Sequence, residues 1–178
     1  GKFEGIAIES MHLEEDPASW DPKGGCIDYN RSGLPLAEIV TAPEFHFSDE
    51  VTDWIGKLVH ALAYLKIVDS NAGVKIDVNV NIPGKTERVE IKNINSIESV
   101  SRAIEYELAR QVEEGSVRET RRFDEASGKT ISMRSKEKQD DYRFIVDPDL
   151  QDVTIDSNFI KELEKMLPEL PQKKLNKL

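Results

Sequence analysis

Glu38 is a carboxylate set inside an apolar run, Leu36-Ala37-Glu38-Ile39-Val40. Burying it bare would be costly, so it either faces water or has a partner. An acidic run lies upstream at Glu14-Glu15-Asp16, and the polar turn Asn30-Arg31-Ser32-Gly33-Leu34-Pro35 stands between the two. Mg2+ is held by small numbers of carboxylates together with water and phosphate oxygens, so acids on neighbouring segments are candidates for that chemistry. A second constellation is Asp77, Asn79, Glu90 and Lys92, drawn from two alternating segments. Such a polar face suits the orientation of a nucleotide, a metal or an acyl substrate; it equally suits a hairpin whose outer side is simply solvated. Arg121, Arg122, Arg134, Lys136 and Arg143 bring positive charge to an otherwise acidic chain. Arginine matches phosphate in bidentate fashion and stabilises charge that develops in phosphoryl transfer, the alternative being salt bridges to the many acids. His12, His46 and His60 form no nucleophile pattern with Ser, Cys or Asp, and neither a P-loop nor a dinucleotide fingerprint occurs.

The elements that would carry these groups follow from periodicity. Strands are expected from Ile6 through Leu13, from Cys26 to Tyr29 and from Leu36 to Thr41, with Asp21-Pro22-Lys23-Gly24-Gly25 as a turn. Val51, Ile55, Leu58, Val59, Leu62 and Leu65 recur at helical spacing, with Ser48 or Asp49 as N-cap. Val74 to Ile82 alternates strictly, as does Arg88 to Lys92. If the two pair as a hairpin, their apolar faces coincide only when odd positions of the first oppose even positions of the second. That register places Asp77, Asn79 and Asn81 beside Arg88, Glu90 and Lys92, with Val78, Val80, Val89 and Ile91 buried behind them. Asn95-Ser96-Ile97-Glu98 resembles a capping box, and Ile97, Val100, Ile104, Leu108 and Val112 form the apolar stripe of a helix reaching Gly115. A second hairpin is expected from Val117 to Phe123 and Thr130 to Arg134, and a short helix from about Asn158 to Leu167. Hairpins separated by helices predict an α+β domain with a mainly antiparallel sheet covered by helices on one face.

Composition narrows the function classes. With 178 residues the chain suits one well-cored domain. A formal net charge of −10 argues against a general nucleic-acid coat but leaves room for contact at a local basic patch. The 38% hydrophobic and 33% charged residues are those of a globular chain. Cys26 stands alone, so no intrachain disulfide forms, and no Cys/His cluster has zinc spacing. No segment reads as membrane-spanning or as a signal peptide, which makes a cytoplasmic setting the expectation. Without an initiator Met and with a lysine-rich end, Lys173-Lys174-Leu175-Asn176-Lys177, the chain is read as a fragment.

The strings LEEDP, DYNRSGLPLAEIVTAPEF, VEIKNINS, RAIEYELARQ, RETRRFDEASGKT, MRSKE, DDYRF and DPDL run in order through almost the whole chain. Together they resemble the B subunit of the glutamyl-tRNA(Gln)/aspartyl-tRNA(Asn) amidotransferase. The resemblance implies that residues 1–178 are part of the GatB/GatE catalytic domain, lacking its opening segment and the helical and tail domains that follow. It implies a glutamine synthetase-like fold, ATP as substrate, Mg2+ as cofactor, and Glu15 and Glu38 as metal-binding glutamates sharing an ion. Arg134, in MRSKE, and Arg143, in DYRF, become the preferred phosphate or substrate contacts. The implied partners are the amidase (the A subunit), the small C subunit, and mischarged Glu-tRNA(Gln) or Asp-tRNA(Asn), with no membrane involved. The chain departs from the family's usual spelling at Pro17-Ala18-Ser19, Ser70-Asn71-Ala72-Gly73 and Phe144-Ile145-Val146. The rival readings are the archaeal paralogue, known as the E subunit, and a non-catalytic tRNA-docking or assembly domain.

Overall fold

The computed structural model describes residues 1–21, 24–68, 73–133, 154–169, 174 and 177. The chain divides into two compact units, Gly1–Phe47 and Ser48–Leu178. In the first, β1 (Lys2–Phe3) and β2 (Ile6–Glu15) form a hairpin. Its two turn residues, Glu4 and Gly5, both have positive φ, which matches the twist of the flanking strands. β3 (Ser19–Asp21) pairs with β4 (Cys26–Asp28), and β5 (Pro35–Thr41) returns antiparallel along β2. The Asn-Arg-Ser-Gly turn is held by its own polar groups. The Asp28 carboxylate accepts from Asn30 N–H at 2.9 Å, an Asx turn, and Gly33 takes φ +79, a conformation that favours glycine. The turn is tied to the end of β2 by Gly33 N–H to Asp16 C=O at 2.8 Å and by an Arg31–Asp16 ion pair at 3.3 Å. This fixes the register of β5 against β2.

The second unit opens with α1 (Ser48–Tyr64), which begins at the expected capping residues rather than after them. β6 (Ile76–Val80), β7 (Val89–Ile94), β8 (Glu119–Asp124) and β9 (Lys129–Ser132) make a sheet in that order. α2 (Ile97–Glu114) packs on this sheet, and α1 packs on α2. The β6–β7 hairpin has the register required by its apolar faces: Val78 opposes Ile91, Asn79 opposes Glu90 and Val80 opposes Val89. Val80, Val89 and Ile91 are buried, while Val78, on the edge strand, is half-buried. The α+β class holds, with one departure inside the sheet: β7 and β8 run parallel, because α2 carries the chain back across the sheet between them. The other two pairings are antiparallel. α3 (Ser157–Met166), capped by Asp156, has no buried residue.

α2 begins one residue later than the expected box. Ser96 is the N-cap, its Oγ accepting from Ser99 N–H at 3.1 Å. The buried face also differs from the expected stripe: it is Ser99, Val100, Ala103, Ile104, Glu107 and Gln111, while Ile97 and Val112 are exposed. Glu107 and Gln111 replace apolar residues on the inner side because polar partners wait for them there. Glu107 is fully buried and takes Arg110 Nη2–H at 2.6 Å, Gln111 Nε2–H at 3.0 Å and Thr130 Oγ–H at 2.6 Å. Arg121 adds a second guanidinium 3.5 Å from the same carboxylate. Gln111 also donates to Val80 C=O at 3.2 Å and accepts from Thr86 Oγ–H at 2.6 Å. One carboxylate thus ties α2 to β8 and β9, with Gln111 carrying the tie to β6.

Burial alone would push the Glu107 pKa up, but the hydrogen bonds from Arg110, Thr130 and Gln111, with the Arg110 charge, hold it below its ordinary value of 4.5. An acid that is stronger in the folded state contributes stability in full above its unfolded pKa, and that contribution is lost as pH falls through the lowered folded value. Glu107→Gln leaves two guanidiniums facing an amide, so it is expected to destabilise the fold by about 3–5 kcal/mol at neutral pH. It should also remove the part of the acid destabilisation that begins below the ordinary glutamate value. Urea unfolding of both proteins across that range checks this; parallel pH curves would contradict it.

Candidate active site

The four strands turn one side to α2 and leave the other uncovered by it. Pairing fixes which residue goes where. On β8, Glu119, Arg121 and Phe123 share the inner side with Val89 and Ile91, whereas Thr120 and Arg122 pair with Glu90 and Lys92 on the outer side. Asp124 and Lys129 oppose each other there, one step further along the β8–β9 hairpin. Asp77 and Asn79 of β6 complete the outer face.

Lys92 is the hub of this face. Its Nζ lies 3.8 Å from Asp77 Oδ2 and 3.4 Å from Glu90 Oε1. The other Glu90 oxygen, Oε2, accepts from Thr120 Oγ–H at 3.2 Å. Asn79 sits directly across from Glu90, and Arg122 directly across from Lys92 with its own ion pair to Asp124 at 3.5 Å. The Asp124 carboxyl is held below the usual range by the Ser127 hydroxyl and N–H. Two carboxylates flanking an ammonium, beside a guanidinium on the next strand, form a surface that can hold an anionic group against cations while keeping acids within reach of a proton. The structure therefore gathers Asp77, Asn79, Glu90 and Lys92. Of the arginines named from the sequence it brings Arg122 to this face and turns Arg121 inward, and it adds Thr120, which periodicity did not single out: along β8 the inward residues are themselves charged, so polarity alone cannot tell the two sides apart. Arg134 and Arg143 lie outside the described residues. The concavity lined by Lys85, Arg110, Glu114, Ser116, Val117 and Glu119 is at the C-terminal end of α2, and no residue of the outer-face set lines it.

In the first unit, β5 pairs with β2 so that His12 opposes Glu38, Glu14 opposes Leu36 and Glu15 opposes Pro35. Directly paired residues share a side, and sides alternate along each strand. Glu38 therefore lies with His12 and Glu14, whereas Glu15 lies on the reverse side with Leu13 and Ala37. The expectation that Glu15 and Glu38 share one ion does not fit this register; a shift of one residue would be needed to bring them to one side. Among the described residues, no group of three or more His, Cys, Asp or Glu is placed to hold a metal ion. His12 Nε2 is 3.1 Å from Ser10 Oγ.

A family model of the GatB/GatE catalytic domain matches residues 1–161. The chain belongs to this family. Among its relatives is the B subunit of the aspartyl/glutamyl-tRNA(Asn/Gln) amidotransferase of Methanopyrus kandleri, 42% identical over 183 residues, covering 100% of this chain and 40% of that protein. The protein of the same name from Methanocaldococcus jannaschii is 42% identical over 96% of this chain and 38% of its own length. That from Caldicellulosiruptor saccharolyticus is 42% identical over 98% of this chain and 40% of its own. The chain thus spans about two fifths of the length of these curated relatives.

Lys92, Asp77 and Glu90 are each roughly one third to one half exposed, so their ion pairs are solvated and worth up to about 1 kcal/mol. Lys92→Met is accordingly expected to shift the unfolding free energy by less than about 1 kcal/mol, in contrast to Glu107→Gln. Denaturant titration decides this, and a loss comparable to that of the buried cluster would mean that Lys92 is structural.

Proposed function

We propose that this chain is the catalytic part of the B subunit of a tRNA-dependent amidotransferase. It would convert Glu-tRNA(Gln) to Gln-tRNA(Gln), and Asp-tRNA(Asn) to Asn-tRNA(Asn), as a ligase forming a carbon–nitrogen bond. The observation that carries the reading is the Lys92 hub, with Asp77, Glu90 and Arg122 around it, in a chain whose relatives bear that name. The same relatives favour the B subunit over its archaeal paralogue, the E subunit.

The chemistry follows from the substrate. A carboxylate is a poor acyl donor because its oxygen leaves badly. Transfer of the terminal phosphoryl group of ATP to a side-chain carboxylate oxygen gives ADP and an acyl phosphate. Ammonia then attacks the carbonyl carbon, the C–O bond to phosphate breaks, and the nitrogen loses a proton as the amide forms. Lys92 and Arg122 would offset the negative charge assembled between nucleotide and substrate. Asp77 and Glu90 would hold Lys92 in place and accept the proton, and the Asn79 amide would hydrogen-bond the acyl group. Arg134 and Arg143 are proposed as further phosphate or substrate contacts. When bound, Mg2+ would supply charge neutralisation at the phosphates; Glu15 and Glu38 remain candidate ligands singly rather than as a pair, and no step is assigned to the ion.

The proposed setting is the cytoplasm, in a complex with a small C subunit and with the amidase, or A subunit, which releases ammonia from glutamine. Among the described residues no helix is long and apolar enough to cross a membrane. In an amidotransferase with this chain in its B subunit, Lys92→Met is expected to lower transamidation by about 10²-fold or more, the scale of losing one charge-stabilising group. Glutamine hydrolysis by the partner should persist. Separate assays of amidated tRNA and of free glutamate test this, and undiminished transamidation would exclude the outer face as the site.

A further inference from the structure

Glu90 has two oxygens with different neighbours. Oε1 faces Lys92 at 3.4 Å, and Oε2 accepts from Thr120 on the adjacent strand at 3.2 Å. A half-exposed carboxylate on an open sheet rotates freely unless something holds one of its oxygens. Thr120 is well placed to do so. It lies directly across the parallel pairing from Glu90, and its β-branched side chain is restricted about its first torsion.

The strand that carries it is also unusually fixed. The residues on either side, Glu119 and Arg121, point inward and are anchored to each other at 2.8 Å. Glu119 further accepts from Ser132 Oγ–H at 2.7 Å, and Arg121 donates to Thr130 Oγ at 2.9 Å and Thr130 C=O at 2.9 Å. Both reach the buried cluster, Arg121 at Glu107 and Glu119 near Arg110. Thr120 thus presents its hydroxyl to the outer face from a segment pinned on both sides.

We infer that Thr120 is a positioning residue of the outer-face site: its hydroxyl holds Glu90 Oε2 so that Oε1 stays turned to Lys92 and to whatever Lys92 binds. The inference rests on the outer face being the site of transamidation, and the test separates the two. Thr120→Val keeps shape and β-branching and removes only the donor. Four variants, Thr120→Val, Thr120→Ser, Glu90→Gln and the double Thr120→Val/Glu90→Gln, are assayed in an amidotransferase with this chain in its B subunit. The expected result is that Thr120→Val lowers the transamidation kcat about 10- to 100-fold, the scale seen when a hydrogen-bonding neighbour of a site residue is lost. KM for the mischarged tRNA, glutamine hydrolysis and the melting temperature should stay near those of the parent. Thr120→Ser restores the rate, because it restores the hydroxyl. The double variant should be no slower than Glu90→Gln alone, since the hydroxyl acts only through that carboxylate. If valine disturbs the strand, seen as a lowered melting temperature, Thr120→Ala is judged by the same comparison. A normal Thr120→Val rate beside an impaired Glu90→Gln overturns the inference and leaves the site standing. Additive losses in the double variant overturn it as well. A normal Glu90→Gln rate overturns the outer face as the site, and the inference with it.

Discussion

The second unit depends on a single buried carboxylate. Glu107 enters the interior from the middle of α2, where an apolar side chain would be the ordinary choice, and meets Arg110, Gln111 and Thr130, with Arg121 nearby. A buried charge survives only when its hydrogen-bonding capacity is met, and among the described residues no buried side-chain oxygen or nitrogen lacks a partner. Such a cluster adds little net stability over a well-packed apolar core of the same shape. What it adds is direction, because Arg110 and Gln111 fix the carboxylate on one face of α2 while Thr130 and Arg121 must each come from one particular strand. For this fold the direction matters: α2 crosses between the two parallel strands, and β8 has a mostly polar inner side that hydrophobic packing alone would not orient.

That orientation links the interior to the chemistry. β8 alternates between the two worlds at every residue: Glu119, Arg121 and Phe123 inward, Thr120, Arg122 and Asp124 outward. A slip of one residue would put Arg121 on the outer face, breaking its contacts with Glu107 and Thr130, turn Phe123 out of the core and drive Thr120 and Arg122 against α2. The interior cluster therefore excludes the register that would scramble the face. β6 and β7 need no such device, since Val80, Val89 and Ile91 set their register by burial.

This contrast also explains how much of the molecule was legible in the sequence. Where apolar residues alternate, the reading succeeded: the β6–β7 register follows from Val78, Val80, Val89 and Ile91, and the helices from their heptad-like spacing. It failed where polar residues do the folding. The stripe on α2 was drawn through Ile97 and Val112, which are exposed, because a count of apolar side chains passes over Glu107 and Gln111. The parallel β7–β8 pair was missed since β8 offers only Phe123 as an inward apolar residue. The pairing of Glu15 with Glu38 came from motif resemblance rather than from alternation. Once Glu38 is known to oppose His12, parity alone sends Glu15 to the reverse side. Arg134 and Arg143 lie outside the described residues.

Charge distribution shows how an acidic chain can present a face to phosphates. The chain carries a net charge of −10, which by itself repels nucleotides and tRNA. On the paired strands of the outer face, however, Asp77, Glu90 and Asp124 are matched by Lys92, Arg122 and Lys129, so these six sum to zero. With a screening length of about 8 Å at physiological salt, a bound group responds mainly to these six and little to the rest of the chain. Their order on the sheet then becomes decisive. Acids dominate on β6 and β7, whereas the guanidinium and the lysine ammonium stand on β8 and β9, with Lys92 at the divide. An anion drawn to the Lys92–Arg122 boundary therefore meets two cations side by side, while Glu90 and Asp77 remain on its far flank as acceptors. The neutral sum allows approach, and the gradient across the strands sets which end of the ligand lies where.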